Sequence, residues 1–320
     1  MRLHLAEKSD NRGQYKVLAQ EGYLYTLASY AYSIACRDYF PPYWDELVRI
    51  HLAATNGEKD ASGESIRKVC ADEDHQSSLF SYAYQTQEPL WNAAWKRMNN
   101  DTLPRVIIDS GAFTAWTSGK PINPKDYAKW ALDFDSRWRH KMHSLEFMSL
   151  DVIGDQDASW QNQSILEGLG MNPLPIVTYG VDLKHLDRAL ANYDYIALGG
   201  LVPLTRDKVK MQKWLDACFS RVMQYKKETG IMRRIHLLGV TTDWVLKRYP
   251  CFSSDSSSWV SCLRFGGAAS AGIKQIPRYK ESSGAMAATI HTLRSEIRKY
   301  KKMQDEATNL WTKRGIIFND

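Results

Sequence analysis

The sequence predicts an α/β fold in the form of a (β/α)8 TIM barrel, and two observations support this prediction. Short apolar runs alternate with helix-length amphipathic segments along most of the 320 residues, and the links between them are short. Such alternation is typical of a parallel sheet covered by helices. About eight runs are strand candidates, which favours a closed barrel over an open doubly wound sheet. The length suits a single barrel domain over 1–320, because barrels of this kind often use about 250 residues.

Strands are predicted where a run is short, rich in aliphatic residues and bounded by Asp, Gly or Pro. The first candidate, LYTLASYAY at 24–32, fits either a strand or the start of a helix. The clearest strand is RVII at 105–108, which ends at Asp109. The later strand candidates are 146–150, 174–177, 195–198, 234–238, 251–253 and 262–265.

Helices are predicted where apolar residues recur every three or four positions. Segment 124–137 has Tyr127, Trp130, Ala131 and Phe134 on one face. Residues 56–78 are polar and predict an insertion near the start of the barrel. The other predicted helices are 157–170, 183–192, 207–228, 243–249 and 284–303.

The net charge of +6 is unevenly distributed. From Lys274 to Arg314 there are ten Lys or Arg and four Asp or Glu residues, so this segment alone accounts for the excess. A basic helical C-terminal extension over 274–320 suits a polyanion such as nucleic acid. The same charge pattern fits a solvated helix face equally well.

Cysteine usage and hydropathy indicate the compartment. The five cysteines are scattered and none has CxxC spacing, which disfavours a disulfide framework or a zinc knuckle. The first ten residues lack the apolar core of a signal peptide. No apolar run approaches the ~20 residues that span a bilayer. We therefore expect a cytoplasmic protein.

Acidic residues and glycines recur where the predicted strands end. Strand C-termini form the active-site face of a (β/α)8 barrel, so these residues should meet on one rim. A single Asp at such a position is more often a helix N-cap, but three of them favour a shared pocket. The rim residues are Asp109, Asp151, Thr178, Tyr179, Gly199, Gly200, Leu238, Gly239 and Asp255.

Two carboxylates that face one substrate can perform glycosidic chemistry. One attacks the anomeric carbon and forms a covalent glycosyl-enzyme, while the other protonates the leaving group and then deprotonates the incoming group. If both groups are nucleobases, the result is base exchange with retained stereochemistry. The pair Gly199-Gly200 would let the backbone approach a flat ring closely, although a tight turn alone also explains it.

Five ordered motifs resemble the tRNA-guanine transglycosylase superfamily, and most of all its phage branch, the DNA deazaguanine transglycosylases (DpdA). The motifs are IIDSGAFTAW (107–116), MSLDVIGD (148–155), PIVTYG (175–180), YIALGGLVP (195–203) and IHLLGVTTDWVLKRYPCFSSDSSSW (235–259). The similarity covers about half of the chain. Five motifs in order are more specific than any one of them.

The resemblance implies a double displacement at C1′ of a guanosine, and for this chain we expect neither a metal nor a cofactor. It makes Asp255 the nucleophile, Asp109 the general acid and base, and Asp151 the reader of the N–H groups of guanine or its replacement, because a carboxylate accepts two such bonds. Gly200 would contact the base through its backbone and Leu238 would pack on the ring. The other candidates for the base pocket are Ser110, Phe113, Thr178, Tyr179, Gly199 and Gly239.

The chain departs from the family pattern in ways that bear on the substrate. The tRNA enzymes carry a glutamine where this chain has Thr178, and a CxCxxC-plus-His zinc site after the nucleophile. Only Cys262 and His291 are available there, too few for such a site, so the usual zinc subdomain is missing. Because that subdomain takes part in tRNA binding, its loss favours DNA. The serines at 253–258 could hold a phosphate or the carboxylate, or form a solvated loop.

The expected substrates are therefore DNA and a small 7-deazaguanine base of the preQ0 type. In duplex DNA the target nucleotide would have to be flipped out, at a cost of a few kcal/mol. Trp116, Trp160 and Trp259 could stack on neighbouring bases or pack internally. The candidates for phosphate contact are Lys274, Arg278, Lys280, Arg294, Arg298 and Lys299.

Three other functions remain open at this point. A tRNA-guanine transglycosylase would use the same chemistry on another polymer. A TIM-barrel glycoside hydrolase would use two carboxylates on a sugar, with tryptophans at the strand ends and no purine pocket. A non-catalytic nucleic-acid binder is the third, and the presence of both Asp109 and Asp255 argues against it.

Overall fold

The structure is a computed structural model that describes residues 1–6, 17–18, 21–30, 103–260 and 283–317. Several predictions fall outside these ranges and stay predictions. They are the insertion at 56–78, the strand at 262–265 and the phosphate contacts of Lys274, Arg278 and Lys280.

The described residues contain one sheet of eight strands in which every pairing is parallel. The strands are β1 (Arg2–Ala6), β2 (Tyr25–Ser29), β3 (Arg105–Asp109), β4 (Ser144–Phe147), β5 (Ile176–Thr178), β6 (Tyr195–Gly199), β7 (Arg234–Leu237) and β8 (Ser253–Ser256). Their order across the sheet is β4-β3-β2-β1-β8-β7-β6-β5. The predicted α/β class with a parallel sheet is confirmed, and the first candidate run, 24–32, contains strand β2.

Helices follow the strands along the chain, as predicted. They are α1 (Ala112–Ser118), α2 (Pro124–Trp138), α3 (Gln156–Gly168), α4 (Lys184–Asn192), α5 (Lys208–Thr229), α6 (Asp243–Arg248) and α7 (Ser283–Lys313), with 3-10 turns at Arg139–Lys141, Val202–Arg206 and Ser258–Val260. None of the helices in the described ranges combines the length and the apolar character that crossing a bilayer requires.

The sheet is curled, so that its two edge strands come together. Leu174, just before β5, forms a parallel bridge with Met148, just after β4. Its N–H donates to the carbonyl of Phe147 at 2.7 Å, and its carbonyl accepts from the N–H of Ser149 at 2.9 Å. The architecture is consistent with a (β/α)8-like fold.

Three strands differ clearly from the prediction. β4 covers Ser144–Phe147 rather than 146–150, so Asp151 lies in the loop after it. β1 was not predicted, because RLHLA is short and mixes polar with apolar residues, yet it pairs with both β2 and β8. β8 covers Ser253–Ser256 rather than 251–253, so Asp255 lies within the strand and not after it. The serines of β8 tolerate burial because their hydroxyls are bonded internally. Ser254, for example, donates to the carbonyl of Val240.

The interior of the curl and its outer face have separate cores. Residues in or next to β2 to β6 form an interior apolar cluster of Leu27, Ile107, Met148, Ile176 and Ala197. The outer face packs against the helices, as Leu3, Leu5 and Leu237 do in the main core. On the interior side, His4 and His236 approach each other edge to face, with ring centroids 6.1 Å apart. One sector of the interior is therefore polar.

Candidate active site

The two predicted catalytic carboxylates lie at the same end of the sheet. Asp109 is the last residue of β3 and Asp255 the third residue of β8, with β2 and β1 between them. They interact electrostatically, since the charge of Asp255 contributes to a raised pKa of Asp109. Because the four strands are parallel, both residues lie towards the carboxyl ends of the strands, where active sites of such sheets form.

The carboxylate of Asp255 is buried and held through one oxygen. Oδ1 accepts the backbone N–H of Gly239 at 2.8 Å and lies 3.1 Å from Nε2 of His236. Gly239 has φ +72°, a left-handed conformation that glycine adopts without strain, and a Cβ there would lie 2.3 Å from Cγ2 of Val202. The left-handed turn after β7 therefore directs the Gly239 N–H towards the carboxylate of Asp255.

His236 belongs to a buried chain of polar groups that sequence reasoning missed. Its Nδ1 lies 2.6 Å from Oγ of Ser253, and Ser253 is in turn hydrogen-bonded to the hydroxyl of Tyr195. Ser253 pairs in register with His236 across β7 and β8. One signal could have revealed His236. It stands two residues before Leu238, which was predicted to line the base pocket, and residues two apart in a strand point to the same face of the sheet.

Asp109 is held by different partners and has a shifted pKa. Its Oδ2 accepts from the Ser29 hydroxyl at 3.0 Å and from the Gly111 N–H at 3.1 Å. Burial raises the pKa of Asp109 to about 6, the Ser29 hydrogen bond opposes the rise, and repulsion by Asp255 adds to it. Ser29 was not predicted, because the β2–β3 register that places it opposite Asp109 cannot be seen in the sequence.

Asp151 lies in the loop after β4, and its carboxyl group is also perturbed. Burial raises its pKa to about 7, and repulsion by Asp109 adds to this effect. Helix capping does not explain Asp151, because α3 is capped by Asp155, whose carboxylate accepts the N–H of Ala158 at 2.9 Å. Three acids of the predicted rim are thus present, and two of them have a raised pKa.

The ends of β5 and β6 form a tight wall beside these acids. Gly200 has φ +70°, and a Cβ there would lie 2.9 Å from Cγ2 of Thr178. The Thr178 hydroxyl is buried, as is that of Ser110, and neither has a hydrogen-bond partner among the described residues. Buried hydroxyls are normally bonded, so these two lack the partner that such groups usually have. Gly199 is also close-packed, since its Cβ would lie 2.8 Å from Cγ2 of Ile176.

The remaining pocket candidates differ in exposure. Leu238 packs on the interior apolar cluster, whereas Tyr179 is at the surface, edge-on to Trp214 at 5.5 Å between ring centroids. Phe113 and Trp116 on α1 are 59% and 61% exposed, with centroids 5.9 Å apart. Two exposed aromatic rings therefore stand on the helix that follows Asp109.

Two tryptophans considered for stacking are instead packed internally. Trp160 is buried and its indole N–H donates to Nδ1 of His185 at 3.0 Å. Trp259 is fully buried and donates to the carbonyl of Ala6 at 2.9 Å. Of the three, Trp116 alone is exposed.

The basic residues of α7 make ion pairs within the chain. Arg298 Nε lies 2.7 Å from Oε2 of Glu21, Arg294 is paired with the same carboxylate, and Lys299 Nζ lies 3.4 Å from Oε2 of Glu296. The three cations are 41–67% exposed, but the carboxylates of Glu21 and Glu296 are only 12% and 10% exposed. A phosphate that drew these cations away would leave a largely buried carboxylate without its partner.

Neither a metal site among the described residues nor a family match accompanies this geometry. Within the described part of the chain, no three His, Cys, Asp or Glu side chains are grouped so that they could hold a metal ion. Comparison of the sequence with models of protein families and with curated proteins gave no match in either case.

Proposed function

We propose that this chain is a DNA-guanine transglycosylase, which exchanges guanine in DNA for a 7-deazaguanine derivative by double displacement. One observation supports it most: Asp109 and Asp255 interact at one end of the sheet but are held differently. Asp255 accepts two N–H groups on one oxygen, which suits an anion. The pKa of Asp109 is raised to about 6, which suits a proton carrier. Such asymmetry supports Asp255 as the nucleophile and Asp109 as the general acid.

The first displacement uses both carboxyl groups. An oxygen of Asp255 attacks C1′ of the nucleotide, and the electrons of the C1′–N9 bond move to the departing guanine, which takes the proton of Asp109. In the second displacement Asp109 removes the N9 proton of the incoming base. N9 then attacks C1′ and releases Asp255, so the configuration at C1′ is retained.

Asp151 and Thr178 would recognise the base. Guanine and its 7-deaza analogues present N1–H and a 2-amino group, which one carboxylate can accept together. Binding would favour the ionised form of Asp151, whose pKa lies near 7. The charge of Asp151 would then disfavour ionisation of Asp109, because repulsion between two carboxylates is mutual. Base binding would thus keep Asp109 protonated for the first displacement.

The same proposal includes a closed TIM barrel and DNA as the polymer. The bridge between Met148 and Leu174 joins the ends of the edge strands, as closure requires. DNA rather than tRNA is favoured because the CxCxxC motif of the tRNA enzymes is missing. The exposed rings of Phe113 and Trp116 could stack on bases next to an extruded nucleotide.

A second candidate rests on Trp116 alone. An exposed tryptophan on the helix that follows one of two carboxylates is also compatible with a glycoside hydrolase, which uses such a carboxylate pair on a sugar. The Thr178 hydroxyl has no hydrogen-bond partner among the described residues, and the pKa of Asp151 is raised. Both features favour a hydrogen-bonding base over a sugar stacked on one ring.

Nucleoside analysis of treated polymers tests the proposal. The enzyme is incubated with a 7-deazaguanine base and either single-stranded DNA or tRNA, and the nucleosides are quantified by mass spectrometry, with Asp255→Asn as the control. We expect incorporation into DNA by the wild-type protein alone. Incorporation only into tRNA would mean that the polymer is wrong. Cleavage of oligosaccharides without any base exchange would support the hydrolase.

A further inference from the structure

The hydrogen bonds of Asp255 distinguish its two oxygens. Both donors that reach the carboxylate within the described ranges, the Gly239 N–H and His236 Nε2, go to Oδ1. Among the residues that the structure describes, Oδ2 receives no donor. Within that part of the chain, Oδ1 is therefore committed to the protein, and Oδ2 is the oxygen with no hydrogen bond.

Hydrogen-bond direction fixes the tautomer of His236. An ionised carboxylate only accepts, so Nε2 must carry the hydrogen that faces Asp255. In a neutral His236 ring Nδ1 then accepts, and the Ser253 hydroxyl donates to it. The Tyr195 hydroxyl completes the chain by donating to Ser253, and burial raises the pKa of Tyr195, which keeps this phenol protonated. Every hydrogen in the chain points from Tyr195 towards Asp255.

His4 packs edge to face against His236 in the opposite tautomer. Its Nδ1 lies 3.0 Å from the carbonyl of Thr26, which can only accept, so Nδ1 of His4 carries the hydrogen. Burial and the proximity of His236 lower the pKa of His4 well below its usual range. His4 therefore packs against His236 as a neutral ring.

We propose that His236 is a positioning residue, locked by Ser253 and Tyr195 as the Nε2–H tautomer, that reserves Oδ1 of Asp255 and makes Oδ2 the attacking atom. This inference rests on the proposed function, because it assigns a role within the same displacement. It also has a structural part, the tautomer, that stands independently of any activity.

The assignment has a chemical consequence for each step. In the first displacement a lone pair of Oδ2 forms the bond to C1′, and Oδ1 becomes the carbonyl oxygen of the ester. In the second, the C1′–Oδ2 bond breaks with its electrons returning to the carboxylate. The N–H donors on Oδ1 bind the carboxylate more strongly than the ester carbonyl, so they assist this departure. Loss of His236 should therefore slow resolution of the covalent adduct.

Nitrogen NMR of histidine-labelled wild-type protein tests the tautomer. His236 is assigned from the signal that disappears in His236→Gln, and His4 is the internal control with the opposite tautomer. We expect His236 to carry its hydrogen on Nε2, and we expect Asp255→Asn to perturb its signals. A hydrogen on Nδ1 of His236 would overturn the inference, whatever reaction the protein catalyses.

A chase of the covalent adduct tests the role. The DNA adduct is formed without free base, a 7-deazaguanine base is added, and the rate of adduct loss is compared among variants. His236→Phe keeps a ring of similar size without donors, and should resolve the adduct about 10²–10³-fold more slowly. His236→Gln keeps an amide N–H near the position of Nε2 and should stay within about tenfold of wild type.

The outcomes separate the two proposals. If the wild type forms an adduct and exchanges base but His236→Phe resolves the adduct at the wild-type rate, the positioning role is wrong and the proposed function stands. If Phe and Gln variants are equally slow, packing and not the N–H donor is responsible, which also overturns the role. If the wild type forms no adduct with DNA, the proposed function fails, and the role of His236 in that displacement fails with it.

Discussion

His236 Nε2 lies 3.1 Å from Oδ1 of Asp255, in a buried polar sector of a curled parallel sheet whose interior elsewhere holds an apolar cluster that includes Ile107 and Met148. Interiors of such sheets are usually filled by branched aliphatic side chains. A buried carboxylate there loses hydration, and protein hydrogen bonds must replace it. The His236–Asp255 pair is therefore difficult to explain as packing and is readily explained as part of a catalytic site.

The first prediction concerns the pH dependence of guanine release. The first displacement needs protonated Asp109, whose pKa is about 6, so kcat/KM for release should fall about tenfold per pH unit above about 6. The hydrogen bond from Ser29 lowers this pKa, so Ser29→Ala should move the break to higher pH. Rates of guanine release between pH 5 and 8 measure both. A break that does not move in Ser29→Ala would argue that another group titrates.

The second prediction concerns stability at Asp151. Its folded-state pKa is about 7 against an ordinary value of 3.8, so between these values the folded state keeps a proton that the unfolded state has lost. The free energy of unfolding therefore falls as pH rises through this window. Asp151→Asn does not titrate and should be more stable at pH 8 by about 1–3 kcal/mol.

Thermal melting at two pH values measures this effect. The melting temperature of Asp151→Asn should exceed that of wild type by roughly 2–8 °C at pH 8, and the difference should vanish near pH 4. The same variant should bind the 7-deazaguanine base less tightly, because the amide accepts one N–H where the carboxylate accepts two. A variant that is less stable than wild type at pH 8 would show that Asp151 serves the fold instead.

A third prediction uses two glycines with similar backbones. Gly239 and Gly180 have φ of +72° and +86°, but only at Gly239 would a Cβ meet a neighbour. Gly180→Ala should cost about 1–2 kcal/mol from the left-handed backbone alone. Gly239→Ala should cost more and should also lose exchange activity, because its N–H would no longer point at Asp255. Urea unfolding and exchange assays compare them. Equal activity in both variants would show that the Gly239 N–H does not matter.

The sequence predicted most of the elements, since the periodicity of 124–137 and the bounded run at 105–108 are local signals. The sequence also predicted that Asp109, Asp151 and Asp255 lie together at the carboxyl ends of the strands. It missed β1 and misjudged β8, because serine is a poor strand former and the bonds of Ser253 to His236 and Tyr195 come from other strands.

Ser29 was missed for a similar reason. Its position opposite Asp109 depends on a strand register that only the folded sheet defines. What sequence cannot show here is side-chain partnership across strands, and the hydrogen-bonding groups around both carboxylates are of this kind.

A fourth prediction concerns the exposed rings on α1. Base stacking on an aromatic ring contributes about 1–3 kcal/mol, so Trp116→Ala should weaken binding of single-stranded DNA roughly 5- to 100-fold. Val209→Ala is the matched control, since Val209 is also apolar and 63% exposed but lies on α5. Fluorescence anisotropy with a labelled oligonucleotide measures both. Equal affinities would show that DNA does not contact Trp116.

The central claim is that Asp255 forms a covalent bond to C1′ of a nucleotide in DNA. Intact-protein mass spectrometry after incubation with a single-stranded oligonucleotide, without free base, tests it most directly. We predict a species with the mass of protein plus oligonucleotide minus guanine, formed by the wild type, absent in Asp255→Asn, and lost when a 7-deazaguanine base is added. The same adduct in Asp255→Asn, or none with the wild-type protein, would contradict the account.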